Sequence, residues 1–203
     1  MSAYPVMLDG SALRAVVVGG GAVAARKVSA LAEAGAAIRV VAPSIDATIE
    51  RLAAGSERIR VSRVRYSPIE LGDADLVIAA TDDATVNAQV ARDARRAGRL
   101  VTVVDAPQLG NCTTPAVHRC GELVVAVSAG RVPRAAARIR DAIARRFDAR
   151  YAGAVHELAA LRSSLLADGR RQQWTEAASA LLTNDFCERV ESEGLAARIA
   201  EWR

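Results

Sequence analysis

The residues best suited to chemistry are a run of glycines and a few carboxylates. Gly19-x-Gly21-x-x-Ala24 directly follows the β-branched run Val16, Val17, Val18 and opens a helical pattern. In that setting the first glycine permits a tight turn, the second lets the backbone approach a pyrophosphate, and the last small residue lets the helix pack closely on a sheet. The diphosphate would rest on the helix N-terminus, where free N–H groups and the peptide dipoles favour negative charge. A purely structural glycine turn is the alternative. The acidic residue that commonly ends the second strand of such a unit and binds a ribose is missing, because positions 42–44 are Ala42, Pro43 and Ser44. The Ser44 hydroxyl or the backbone is left to serve. No arginine lies at 42–46 to welcome a 2′-phosphate, so NAD is favoured over NADP.

Asp105 follows five apolar or small residues, Leu100 to Val104. Ligands of open α/β sheets bind beyond the carboxyl ends of the strands. A carboxylate there is placed to act as a general base or to direct a metal; a helix cap or turn former is the other reading. Thr81, Asp82 and Asp83 lie at another strand end and suit a cap or a cofactor edge. His118, Cys120 and Cys112 have neither CxxC nor HxxxH spacing, so no metal site is expected. His156 reads as a partly buried helix residue and Cys187 as a small core residue.

The elements that must position these groups follow from periodicity. Strands are predicted around 13–18, 38–41, 59–64, 75–80 and 100–104, alternating with helices over about 22–34, 45–53 and 83–97. That alternation predicts an α/β fold with a Rossmann-type parallel sheet covered on both faces. It breaks after Pro107. One more strand is predicted at 123–127, then a helix from Pro133 to about Phe147, then a wholly helical tail from about Tyr151, with boundaries near 112 and 150.

Charge is uneven. Residues 1–113 carry 13 basic and 12 acidic side chains, residues 114–150 carry 8 and 3, and residues 151–203 carry 6 and 8. The middle segment therefore holds the excess, all of it arginine, which suits bidentate grip on carboxylate or phosphate. With 3% aromatic residues there is no stacking platform for single strands, and no nucleic-acid partner is expected. No apolar run approaches the ~20 residues of a membrane helix, and the first one ends, rather than begins, with basic residues, unlike a signal peptide. Three scattered cysteines make no disulfide framework, and a reduced cytoplasmic setting is expected.

Four blocks together carry a more specific signal: Val-Gly-Gly-Gly-Ala-Val-Ala-Ala-Arg-Lys at 18–27, Ala-Ala-Thr-Asp-Asp at 79–83 with Asn87, Val-Val-Asp-Ala-Pro at 103–107, and Val-Ala-Val-Ser at 125–128 before an arginine-rich helix. In this order, and with the stretch Asp168 to Trp174, they resemble the precorrin-2 dehydrogenase family, the module that precedes the methyltransferase domain of siroheme synthase. The resemblance implies NAD-dependent oxidation of precorrin-2 to sirohydrochlorin, with Fe²⁺ insertion to give siroheme in some members. It implies Asp105 as the catalytic residue and cofactor contacts at Gly21, Ala22, Val23, Pro43, Ser44 and Thr81, beside Gly19 of the fingerprint. It also implies a homodimer and three regions: an NAD-binding Rossmann domain over 1–112, a dimerisation region with the arginine-rich helix over 113–150, and a small helical domain over 151–203. The tetrapyrrole carries eight carboxylates, for which Ser128, Arg134 and Arg138 are candidate binding residues. The methyltransferase domain has no counterpart in these residues, so synthesis of precorrin-2 itself is not expected. Two departures fall on the substrate side. Ser128-Ala129-Gly130-Arg131-Val132-Pro133 lacks the two later hydroxyls that many members have, with Ala129 at a position phosphorylated in some. Asn111 to Pro115 is more polar than usual. The competing reading is a non-enzymatic NAD-sensing regulatory module of the potassium-transport type, which shares the glycine turn but does not account for the arginine-rich segment and its helical tail.

Overall fold

A computed structural model describes residues 3–130 and 132–203; Arg131, within the departing segment above, lies outside them. By density of contacts the chain divides into two units, residues 1–114 and 115–203.

The first unit is built on five strands, β1 (Arg14–Val18), β2 (Ala37–Val41), β3 (Ile59–Ser62), β4 (Leu76–Ala79) and β5 (Leu100–Val103), all parallel and ordered β3-β2-β1-β4-β5. Three helices connect them: α1 (Ala22–Glu33), α2 (Ala47–Ala54) and α3 (Ala84–Arg96). The strands are apolar on both faces because both are covered. Alternation along β1 sends Ala15 and Val17 into a cluster with Ala24 and Val28 of α1 and Ile49 of α2. Val16 and Val18 join Val90, Ala91 and Ala94 of α3 on the opposite face. From β1 the chain winds outward through β2 to β3, then returns to place β4 on the other side of β1. The switch point between β1 and its neighbours is where the carboxyl ends of the strands part to leave a crevice.

At the opposite edge of the sheet, Arg14 holds β1 to the start of β4. Its guanidinium donates to both Asp75 carboxylate oxygens at 2.9 and 2.7 Å and to Asp73 at 2.6 Å, and its backbone N–H donates to Asp75 at 3.1 Å. These bonds hold the Asp75 carboxyl down at about 2, chiefly through the Arg14 side chain. A carboxyl with a depressed folded-state pKa stabilises the fold above its ordinary range and loses that contribution as pH falls from about 4 towards 2. Asp75→Asn should therefore lower the melting temperature at pH 7, and melts of the two proteins should converge by pH 2.

The second unit starts with an antiparallel hairpin, β6 (Ala116–Cys120) and β7 (Leu123–Val127). Only β7 is legible as a strand in the sequence; β6 reads Ala-Val-His-Arg-Cys, too short of apolar residues, and is a strand because β7 pairs with it. Then follow α4 (Pro133–Arg146), α5 (Ala149–Ala167), α6 (Arg171–Leu181), α7 (Phe186–Glu191) and α8 (Leu195–Ala200). Tyr151, Leu158, Leu161 and Leu165 on α5 pack with Ala177, Leu181, Val190, Leu195 and Ile199 into one core. The buried Tyr151 hydroxyl donates to Glu191 at 2.7 Å, and Arg146 donates to the same oxygen at 2.6 Å. Burial raises the Tyr151 phenol above its ordinary range. His156 is not part of this core: its side chain is 70% exposed and faces Glu122 at 3.5 Å. The His118 ring is tied at 2.6 Å to the Phe147 carbonyl, which ends α4.

Candidate active site

At the carboxyl edge of the first unit lies a crevice of about 830 Å³. Gly19, Gly21, Ala22, Val23, Pro43, Ser44, Thr81 and Asp105, which come from four different strand ends, all line it. The parallel register of neighbouring strands brings these separate stretches of sequence to one edge.

The three glycines do different work. Gly19 has φ +127°, and a Cβ there would stand 2.3 Å from the Ala80 carbonyl oxygen at the end of β4. A Cβ on Gly20 would stand 1.9 Å from the Ser44 carbonyl oxygen, and the Gly20 carbonyl accepts from Asp46 N–H at 2.7 Å. Both are therefore needed for backbone to pass backbone. Gly21 is different: a Cβ there meets nothing within 4 Å and would project into open space. Gly21 is also the N-cap of α1, with no side-chain cap and no acidic residue in the first turn. By contrast, α2, α3 and α5 are capped by Asp46, Asp83 and Asp148. A helix start without its own anion, opening on a cradle without side chains, fits the diphosphate of a dinucleotide. Ala24, fully buried, packs α1 against the sheet.

Asn87 is the residue whose role the sequence left unread. It is buried, at 4% exposure. Its Oδ1 accepts from Thr81 N–H at 3.1 Å and from the Thr81 hydroxyl at 2.7 Å, and its Nδ2 donates to the Thr81 carbonyl at 2.9 Å. The loop after β4 is thereby fixed where it borders the crevice. The cap of α3 is Asp83, which accepts from Thr85 N–H at 2.8 Å and Val86 N–H at 3.2 Å; Thr81 orders the loop and Asp82 stays exposed on the crevice wall. Arg65 and Tyr66, from the loop after β3, also line the crevice and were not singled out in the sequence. Their signal is indirect, since β3 lies beside β2 and whatever follows β3 comes to stand beside Pro43 and Ser44. Asp105 is exposed on the turn after β5 and has no hydrogen-bond or ion-pair partner among the described residues. Lys27, in the continuation of the glycine motif, donates to Thr114 Oγ1 at 2.8 Å and ties down the segment that leaves β5. Burial, with Arg26 nearby, lowers its pKa.

Ser128, Arg134 and Arg138 belong to the second unit. Ser128 follows β7, and Arg134 and Arg138 stand one turn apart on α4. All three are exposed. Of the arginines on α4, Arg140 pairs with Asp141 and Arg146 with Glu191, whereas Arg134 and Arg138 have no carboxylate partner among the described residues.

The different glycines give a paired expectation. Gly19→Ala should destabilise the fold by about 2 kcal/mol through backbone strain and contact with Ala80, as read by chemical denaturation. Gly21→Asp should melt like the parent and lose dinucleotide binding in calorimetric titration, because its carboxylate would occupy the cradle.

Comparison with known proteins agrees with this geometry. Residues 6–116 match the family described as "Putative NAD(P)-binding". A siroheme synthase of Pseudomonas fluorescens strain SBW25 is 47% identical over 117 residues, 58% of this chain and 25% of that protein. One from Methylobacillus flagellatus is 44% identical over 131 residues, 64% of this chain and 28% of that protein. The match thus spans about a quarter of the length of these relatives. Among solved structures, SirC, a precorrin-2 dehydrogenase, superposes with a TM-score of 0.76 at 26% identity, covering 98% of this chain and 100% of that one. With a glycine cradle at the switch point of a parallel sheet and a family match over more than half of its residues, the chain belongs to the NAD(P)-binding family, and it is similar to siroheme synthases and to a precorrin-2 dehydrogenase.

Proposed function

We propose that this chain oxidises precorrin-2 to sirohydrochlorin in siroheme synthesis. The observation that carries the proposal is that a diphosphate cradle and an unpartnered carboxylate, Asp105, face a single crevice; the names of the relatives supply the tetrapyrrole. NAD⁺, when bound, supplies the hydride acceptor. The chain's own part is positioning and proton transfer. Gly19 and Gly21, with Ala22 and Val23, form the cradle, while Pro43, Ser44 and Thr81 border it. Asp105 accepts the proton released as the macrocycle's conjugation extends. Such a base has to be free of structural partners, as Asp105 is.

Ser128, Arg134 and Arg138 are proposed to hold substrate carboxylates, for which unpaired, planar guanidinium groups are suited. The homodimer is supported by a lack of burial. Among the described residues from 115 to 148 only Ala136 is buried, and Val132 and Ile139 are 58% and 47% exposed. A two-stranded hairpin and one helix bury too little on their own to be stable. A second copy covering them makes 113–150 the dimerisation region, between the cofactor domain over 1–112 and the helical domain over 151–203. Three free cysteines fit the cytoplasm, and among the described residues no helix is long and apolar enough to cross a membrane.

The deciding experiment mixes the protein with enzymatically generated precorrin-2 under anaerobic conditions and follows the absorption spectrum. Sirohydrochlorin should form when NAD⁺ is added and not in the absence of a dinucleotide. A protein that binds NAD⁺ and leaves precorrin-2 unchanged would overturn the enzyme reading in favour of a sensing module. Adding Fe²⁺ afterwards tests for the second reaction, the enzyme-dependent formation of siroheme. In the same assay, Asp105→Ala should lower kcat by about 100-fold or more while NAD⁺ affinity is retained. Arg138→Glu should raise KM for the tetrapyrrole about tenfold and leave NAD⁺ affinity unchanged.

A further inference from the structure

The missing acidic residue at the end of β2 has a structural counterpart one strand further out. Ser62 of β3 pairs with Val41 of β2, so the loop carrying Arg65 leaves the sheet beside the loop carrying Pro43 and Ser44. Arg65 lines the crevice there and is its only cationic side chain among the described residues; the carboxylates of Asp82, Asp83 and Asp105 follow β4 and β5. Its guanidinium is exposed and has no hydrogen-bond or ion-pair partner among the described residues. Three neighbouring arginines are engaged: Arg63 pairs with Glu50, Arg58 donates to the carbonyls of Gly35 and Ser11, and Arg39 donates to that of Glu70. The first carboxylate after β2, Asp46, caps α2 through Thr48 N–H at 2.7 Å and does not line the crevice.

In dinucleotide folds the ribose nearest the end of the second strand is either held by an acidic residue through its 2′-hydroxyl or phosphorylated there and met by an arginine. This edge offers a hydroxyl and a free guanidinium, and no carboxylate. We infer that Arg65, with Ser44, forms an anion subsite for a ribose 2′-phosphate, so that the chain binds NADP(H) as well as NAD(H). The inference rests on the dinucleotide site proposed above and concerns which dinucleotides that site accepts.

The test is calorimetric titration of the intact chain and of Arg65→Ala with NADH and with NADPH. Because the Arg65 side chain is exposed and has no hydrogen bond or ion pair to lose among the described residues, the variant should fold as the parent does. The parent should bind NADPH within tenfold of NADH, and Arg65→Ala should weaken NADPH at least fivefold more than NADH, as expected for loss of a charge-assisted contact to phosphate. NADPH binding more than tenfold weaker than NADH, or a smaller selective loss in the variant, would overturn the inference and leave the site NAD-specific. Failure of both dinucleotides to bind the parent would overturn the dinucleotide site itself together with this subsite.

Discussion

The architecture of the first unit depends on one close passage of backbone past backbone. Between the end of β1 and the start of α1 the chain runs within van der Waals reach of the carbonyls of Ala80 on one side and Ser44 on the other, with no room for a Cβ at Gly19 or Gly20. The passage draws together the loops after β2 and β4. It also brings the N-terminus of α1 to the edge of the sheet, where its unshared N–H groups face outwards. The burial of Ala24 and Val28 against β1 then fixes the angle at which α1 leaves. A larger residue at either glycine would push α1 away and widen or close the crevice. The fold and the crevice therefore share one steric condition, from which Gly21 is exempt, since a Cβ there meets nothing within 4 Å.

The surrounding loops are set by hydrogen bonds rather than by apolar packing, because they lie where the sheet ends and water begins. Asn87 holds all three polar groups of Thr81, and Asp46 and Asp83 hold the starts of α2 and α3. A buried amide with satisfied partners is costly to replace, since its loss leaves the Thr81 backbone groups unpaired. The crevice can thus remain open without its walls collapsing, which allows a largely preformed ligand site.

Much of this was legible in the sequence, and for identifiable reasons. The strands of the first unit are buried on both faces, so they appear as continuous apolar runs, and Gly19 to Ala24 marks the turn between strand and helix with residue types that have few other uses. The residues that line the crevice could be named because strand ends in a parallel sheet must meet at one edge. Arg65 was missed, and Asn87 was named without a role, because their roles depend on which strands are neighbours and on which way a side chain turns, neither of which has a periodicity. In the second unit, β6 was missed because the hairpin is only partly buried: where no face is fully covered, alternation is only weakly imposed on the sequence. His156 was misread because a histidine within an apolar helical tail has no local signal for which face it occupies.

The acidic side chains around the sheet divide by what they hold. Asp75 is locked to Arg14, Asp46 and Asp83 satisfy helix starts, and Asp93 accepts from the Tyr66 hydroxyl at 3.1 Å. Each is engaged by a partner within the fold, a guanidinium, a helix-start N–H or a hydroxyl. Asp105 holds nothing among the described residues. It sits on the turn after β5 with its carboxylate facing the crevice, where hydration makes a free charge inexpensive. A group with no part in stability can be replaced without moving its neighbours, so a loss of turnover on its removal would report chemistry and not folding. The same reasoning applies to Arg65 at the other end of the edge. Four interstrand spacings, roughly 19 Å at ~4.8 Å each, separate the strands from which the two free charges emerge. A ligand cationic at one end and anionic at the other could satisfy both charges, and the fold would be indifferent to either.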